Sequence, residues 1–159
     1  MEIDARTFRD ALGQLPTGVI VVTGWSNGYP AGMSCNSFTS VSLDPPLVGF
    51  FPANTSSTWP GIRESRQFTV NFLANGHEAL ARDFSRRGVD RFAGVAWRES
   101  VSGPLLEEAM CWIQCEIAEE YPAGDHTVVL GRVRSLDYRD DDRLPLVFHR
   151  GNYGTFTSV

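Results

Sequence analysis

The strongest constraint on this chain is a pair of long β-patterned segments joined by a turn signal. Ala109 to Tyr121 reads as one strand, Pro122-Ala-Gly-Asp125 as the turn, and His126 to Tyr138 as the antiparallel partner. Other strand patterns accompany them. Gly18-Val-Ile-Val-Val-Thr23 is a β-branched run, the pattern of a strand buried on both faces. Asn27-Gly28 signals a hairpin. The returning segment, Tyr29 to Ser42, is poor in charge and rich in small hydroxyl residues until Asp44-Pro45-Pro46 breaks it. Leu47 to Phe51, Gln67 to Leu73 (with Phe68, Val70 and Phe72 on one face) and Leu144 to His149 read as further strands. Helical patterns are short. Asp4 to Gln14 is capped by Asp4 and carries Phe8, Ala11, Leu12 and Leu15 on one stripe. A helical turn runs from Trp59 to Glu64, and His77 to Arg87 places Leu80 and Phe84 four apart. A loop anchored by Phe92 and Trp97 closes at Gly103-Pro104. Six or more strands, few of them joined by helices, predict a mainly β fold. The expected form is a closed or split antiparallel β-barrel with a few short peripheral helices, not a doubly wound sheet. The length fits one domain, residues 1–159, and no repeat or linker divides it.

Composition narrows the chemistry. All 14 cationic side chains are arginines and there is no lysine. A Walker-type phosphate loop and a lysine Schiff base are both excluded. Any phosphate must be held by arginine, hydroxyls or backbone N–H groups. The net charge of −5 argues against nucleic acid as a partner. Cys111 and Cys115 would share a strand face about 13 Å apart, too far for a disulfide, whose Cα atoms lie within about 7 Å. Reduced cysteines and a cytoplasmic location are therefore expected. Met1-Glu2-Ile3-Asp4 carries no basic n-region, so no secretion signal is expected. No apolar run reaches the roughly 18 residues of a membrane span. There is no Gly-x-Gly-x-x-Gly, no Cys-x-x-Cys and no nucleophile elbow. His77, His126 and His149 lack metal-ligand spacing, so no metal is expected.

Four segments carry polar chemistry, and each has a plainer reading beside it. Gly32-Met-Ser-Cys-Asn-Ser-Phe-Thr-Ser40 suits the close approach of a flat ligand to backbone, or is a serine-rich strand. Asn54-Thr-Ser-Ser-Thr-Trp59 suits a phosphate, or supplies a helix cap through Ser57 or Thr58. Gly124-Asp-His126 offers a histidine at a hairpin tip, or a turn stabilised by Asp125. In His149-Arg-Gly-Asn-Tyr153, Arg150 can hold a diphosphate by paired hydrogen bonds, or make a surface salt bridge.

In order along the chain, these segments form a set. Phe8-Arg9 is followed by Pro16-Thr-Gly-Val19 with Thr23, then Gly32-Met-Ser with Ser37-Phe38, then Ser42-Leu-Asp-Pro-Pro-Leu47. Phe68-Thr-Val-Asn-Phe-Leu73, Phe84 and Phe92-Ala-Gly-Val-Ala-Trp97 come next. Gly124-Asp-His126, Gly131-Arg-Val133 and Pro145-Leu-Val-Phe-His-Arg-Gly-Asn-Tyr153 complete it. From about Thr7 to Tyr153 the chain closely resembles the flavin reductase family, the short reductase components of two-component flavin-dependent monooxygenases. Single motifs are weak; the ordered set, with Ser-Leu-Asp-Pro-Pro and Gly-Asp-His, is specific.

The resemblance implies a split barrel with Greek-key features, a homodimer with flavin sites near the subunit interface, and hydride transfer from NADH or NADPH to FAD or FMN. Reduced flavin would then diffuse to a partner oxygenase. By position, Asn36, Ser37, Phe38, Thr39 and Ser40 would line the isoalloxazine ring, with Ser42 and Leu43 beside it. Ser57, Thr58 and Trp59 would lie along the ribityl chain and phosphate. Arg91 and Phe92 would close the site from their loop. His126 and the segment Arg150, Gly151, Asn152 and Tyr153 would receive the nicotinamide cofactor, with His126 as its orienting group. Hydride transfer needs no protein nucleophile. It needs the two rings within about 3–3.5 Å and a group to stabilise the negative charge of reduced flavin. Family members often carry a lysine or arginine in the segment matching Asn54 to Thr58, and here that segment is neutral. Arg91 is the arginine expected to compensate. Two other readings stay open: a split-barrel flavoprotein that retains its flavin and acts on another small molecule, and a non-catalytic flavin-binding subunit.

Overall fold

The computed structural model describes residues 2–159; Met1 lies outside them. The elements are α1 (Ala5–Leu12), β1 (Thr17–Gly18), β2 (Ile20–Ser26), β3 (Tyr29–Cys35), β4 (Phe38–Leu43), β5 (Pro46–Phe50), α2 (Trp59–Glu64), β6 (Gln67–Phe72), α3 (Glu78–Asp83), β7 (Trp97–Arg98), β8 (Leu105–Leu106), β9 (Cys111–Ala123), β10 (His126–Tyr138), β11 (Val147–His149) and β12 (Asn152–Gly154). Seven strands form one antiparallel sheet in the order β3-β2-β6-β9-β10-β5-β4. Its central ladder pairs β9 with β10, from Ala123 opposite His126 to Cys111 opposite Tyr138. The turn between them is tighter than the sequence suggests. Pro122 and Ala123 remain in β9, and only Gly124 and Asp125 bend, because Gly124 accepts a φ of 63°.

Connectivity curls this sheet into a split barrel. β3 and β4 occupy opposite edges, yet only Asn36 and Ser37 separate them. So short a link spans about 11 Å at most. The outer strands of a flat seven-stranded sheet would stand about 29 Å apart. The edges must therefore curl towards each other. Ser37 pins the junction. Its hydroxyl accepts from Phe51 N and donates to Phe51 O, both at 3.2 Å, and lies 2.9 Å from Cys35 Sγ. Phe38 packs edge-on against Phe72, with centroids 5.3 Å apart.

The β-branched run has two buried faces because it serves two cores. Alternate residues point to opposite sides of a strand. Ile20 and Val22 join Phe50, Phe68, Val70, Ile113, Ile117 and Val129 in one core, to which α2 adds Trp59 and Ile62. Val19 and Val21 join Leu73, Ala81, Phe84, Leu106, Trp112 and Leu146 in the other, under the segment 74–109. Burying each large side chain of this kind contributes about 1.5–3 kcal/mol. The face of β6 opposite Phe68 and Val70 is buried too. Asn71 there donates to Val21 O and Thr23 Oγ1, both at 3.0 Å, and accepts from Leu106 N at 2.9 Å. Its polar groups are satisfied, so it is tolerated in a core.

Helix α1 starts as expected. The Asp4 carboxylate accepts from Arg6 N and Thr7 N, and the hydrogen bonds from Thr7 and Arg6 hold it below the usual carboxylate range. Its apolar stripe has no cover within the chain: Phe8, Leu12 and Leu15 are 56%, 53% and 67% exposed. All three cysteines are free, and burial pushes the Cys115 thiol up to about 12. Among the described residues no helix is long and apolar enough to cross a membrane.

Candidate functional site

Two clefts gather the phosphate-segment and C-terminal residues singled out above, but not Asn36 to Leu43 or His126. The first, of about 440 Å³, lies between the start of β3, residues 57–58 and the arch 86–92. Gly32 lets the arch lie against β3. A Cβ there would stand 2.7 Å from Phe84 Cε1 and 3.2 Å from Phe92 Cζ. Phe92 packs edge-on against both Phe84 (5.0 Å) and Trp97 (6.1 Å), which anchors the arch. Arg91 is thereby turned inward. Its Nη1 donates to Gly32 O (2.8 Å) and Thr58 Oγ1 (3.1 Å), and its Nε donates to Arg86 O (2.8 Å). Burial, and then the charge of Arg87, push its pKa below the ordinary guanidinium value, yet arginine stays cationic at any working pH. The neutral segment 54–58 thus receives its cation from Arg91, and Arg87 reaches Thr55 O at 3.4 Å. A hydroxyl beside a fixed guanidinium fits a phosphate-bearing ligand.

The helix-cap reading of that segment shifts by one or two residues. Thr58 makes no side-chain cap bond. Ser56 does this work, its hydroxyl accepting from Thr58 N (3.3 Å) and Trp59 N (3.1 Å). Ser57 and Thr58 are left facing the cleft. Trp59 does not line this cleft. Its ring is only 5% exposed and packs edge-on against Phe50 and Phe68 in the barrel core. The first residue of α2 faces inward, and its indole N–H has no hydrogen-bond partner among the described residues.

Asn54 turns away from the cleft to the β9–β10 hairpin. It donates from N to Asp125 O (2.8 Å) and from Nδ2 to Gly124 O (3.3 Å), and accepts from Thr127 Oγ1 (3.0 Å). The Gly124-Asp-His126 tip is therefore docked onto the residues that lead into 55–58. Asp125 Oδ1 lies 2.7 Å from His126 Nδ1, and that hydrogen bond and charge hold the Asp125 carboxyl below its usual range. An ionised carboxylate can only accept. Nδ1 therefore carries a hydrogen, and the ring is half-exposed.

The Asn36 to Leu43 stretch lies apart from both clefts on the edge of the sheet. Ser37 and Phe38 have side chains committed to the barrel junction. Asn36, Thr39 and Ser40 are exposed, Ser42 is half-buried, and Leu43 is 96% exposed.

The second cleft, of about 680 Å³, is lined by His149, Arg150, Asn152 and Tyr153 together with Pro16 to Gly18 and Phe156. Arg150 (φ 50°) and Gly151 (φ 77°) form the turn between β11 and β12. The plainer alternative for Arg150, a surface salt bridge, is absent among the described residues. Arg150 Nε donates to Gln14 Oε1 (3.0 Å), Nη2 contacts the same oxygen, and His149 Nε2 lies 3.1 Å from Gln14 O.

Arg86, Arg87 and the hairpin contact of Asn54 escaped the sequence reading. A signal for the first two was present: in a chain without lysine, three of the 14 arginines fall between positions 86 and 91.

The family model for the flavin reductase-like domain matches residues 12–157. A flavin reductase of Pseudomonas putida is 42% identical over 159 residues, 99% of this chain and 93% of its own length. The reductase subunit HsaB of a flavin-dependent monooxygenase from Rhodococcus jostii is 43% identical, over 95% of this chain and 77% of its own. The crystal structure of nitrilotriacetate monooxygenase component B from Mycobacterium thermoresistibile superposes with a TM-score of 0.92 at 39% identity, covering 96% of this chain and 86% of that one. This chain belongs to the flavin reductase-like domain family.

Proposed function

We propose that this chain is an NAD(P)H:flavin oxidoreductase that reduces free FAD or FMN and releases it to a separate monooxygenase. The observation that carries the reading is Arg91 held against Thr58 in a cleft whose phosphate segment has no cation of its own. Bound flavin supplies the hydride-accepting ring, and the nicotinamide supplies the hydride. The chain's part is to bind and orient. Arg91 and the hydroxyls of Ser57 and Thr58 hold the flavin phosphate. Phe92 walls the cleft. Asn36, Thr39, Ser40 and Ser42 offer polar groups along the outer sheet edge for the flavin ring. His126, with Nδ1–H fixed by Asp125, presents Nε2 to the nicotinamide, and Arg150 exchanges Gln14 for the dinucleotide's phosphates.

The protein acts as a homodimer in this proposal. The uncovered stripe Phe8, Leu12 and Leu15 supports it, since exposed apolar patches mark association surfaces. Free cysteines support a cytoplasmic location. The test is NAD(P)H consumption by the purified chain across the four nucleotide and flavin pairings. Consumption is expected only with added flavin; none with any pairing defeats the proposal. A protein that keeps stoichiometric flavin through gel filtration would point instead to a flavoprotein acting directly on another molecule. His126→Ala should lower turnover while flavin still binds, and unchanged turnover would remove His126 from the mechanism.

A further inference from the structure

We infer that Asn54 is a positioning residue for His126: its side-chain amide fixes the tip of the β9–β10 hairpin against the segment that leads into 55–58, and so sets where the imidazole stands relative to the flavin. The inference rests on the flavin reductase reading, in which His126 meets the nicotinamide.

The tip has little else to hold it. Tyr121 to His126 are all exposed, and the nearest buried apolar residues of the two strands are Ile117 and Val129. A two-stranded ribbon without a core beneath it is marginally stable in water. Hydrogen bonds from one short segment take the place of that core. Thr127 N donates to Pro52 O (3.0 Å) and Asn54 N to Asp125 O (2.8 Å), with Ala53 bridged to His126 between them. Most residues at position 54 could supply the backbone bond. The Asn54 side chain adds two more, which need a donor and an acceptor on one group. Its Nδ2 donates to Gly124 O (3.3 Å), and its Oδ1 accepts from Thr127 Oγ1 (3.0 Å). These bonds grip the chain on either side of His126.

Opposite residues of an antiparallel pair share a face, and neighbours along a strand alternate. Ala53 and His126 therefore belong to one face, and Asn54 and Thr127 to the other. The amide holds the hairpin from behind and leaves the imidazole face open. Asn54 is followed directly by Thr55, whose carbonyl accepts from Arg87, and soon after by Thr58, whose hydroxyl accepts from Arg91. The stretch 54–58 thus carries both the hairpin contact and the phosphate contact. Hydride transfer needs the two rings within about 3–3.5 Å, and a displacement of about 1 Å can cost about 100-fold in rate. A hairpin tip without its amide clamp would not keep that tolerance.

The experiment compares the unmodified chain with Asn54→Ala and with Thr127→Val, which removes the hydroxyl at nearly constant shape, each also in a His126→Ala background. NAD(P)H consumption gives kcat, fluorescence titration gives the flavin Kd, and amide hydrogen exchange reads residues 111–130. Asn54→Ala should lower kcat about tenfold, Thr127→Val less, and both should leave the flavin Kd unchanged. The primary isotope effect from C4-deuterated NAD(P)H should rise, because hydride transfer becomes the slow step. In the His126→Ala background neither variant should lower kcat further. Exchange should quicken at 121–127 and stay as it was in 111–117. An unchanged kcat, a lower kcat with the isotope effect unchanged, or an equal loss in the His126→Ala background would each overturn the inference. No oxidation by the unmodified chain with any nucleotide and flavin would overturn the reductase reading instead. Exchange at the tip would then decide whether Asn54 clamps the hairpin: quickened in Asn54→Ala it stands, unchanged it falls.

Discussion

Arg91 and Arg150 are both arginines facing a cleft without a carboxylate partner, and they are held in opposite ways. Arg91 is half-buried and bonded to acceptors from three separate stretches: Arg86 O, Gly32 O and Thr58 Oγ1. Arg150 is exposed, sits at φ 50° in a two-residue turn, and rests on one neutral oxygen of Gln14. The first is a cation already in place, so a ligand need not pay to order it. The second must exchange a protein contact for a ligand contact. On the proposed assignment, the flavin side of the site is built in advance and the nicotinamide side assembles on binding.

The largest expected effect breaks the pre-built side. Arg91→Ala removes the only cation bonded to the 57–58 segment among the described residues and should raise KM for flavin about 10- to 100-fold, with far less effect on NAD(P)H. Steady-state kinetics with each substrate varied in turn checks this; equal effects on both would erase the contrast. Arg150→Ala should act in reverse and more weakly, raising KM for NAD(P)H by about tenfold and that for flavin little, since the lost contact forms only on binding.

The smallest effect concerns the joint between the two regions. His77 Nδ1 accepts from Ala74 N at 2.9 Å. Ala74 bridges to Pro145, and Asn75 N donates to Leu144 O. α3 leads from this joint to the arch, and 144–146 leads to the β11–β12 hairpin. Burial lowers the His77 pKa below 6.5. Neighbouring charges oppose one another, Glu108 and Glu78 raising it and Arg143 lowering it. A depressed folded-state pKa means the unfolded chain binds the proton more readily. The contribution to stability is thus complete above pH 6.5 and is lost as pH falls through the folded value. Thermal melts from pH 8 down to 5 should show a fall of a few degrees at most, and His77→Asn should flatten it. A His77→Asn protein with the same pH profile would exonerate the joint.

What could be read in the sequence was local. The Asp4 cap, the Asn27-Gly28 turn (φ 51° and 79°) and the β9–β10 ladder each depend on residues close in the chain. Those readings hold, apart from a turn shortened to Gly124 and Asp125. The site was legible as a set of segments and of partners. Arg91 was singled out to serve the neutral phosphate segment, and it does contact Thr58. The placement of Trp59 was not legible, because one residue at a helix start can face either core or cleft. Nor was Ser56 legible as the cap: three hydroxyls in a row are interchangeable until the chain's path selects one.

By itself the sequence determined a β-rich, lysine-free chain of one family, with its phosphate segment stripped of charge. The reason is that strand periodicity, turn chemistry and composition are properties of neighbouring residues. Only the tertiary structure decided that the two sheet edges, β3 and β4, curl towards each other at the Asn36-Ser37 link and that Gly32 admits the arch. The same packing draws Arg87 and Arg91, some 30 residues downstream, against Thr55 and Thr58. Those contacts depend on how two cores pack on opposite faces of the same strands, and no local pattern encodes that.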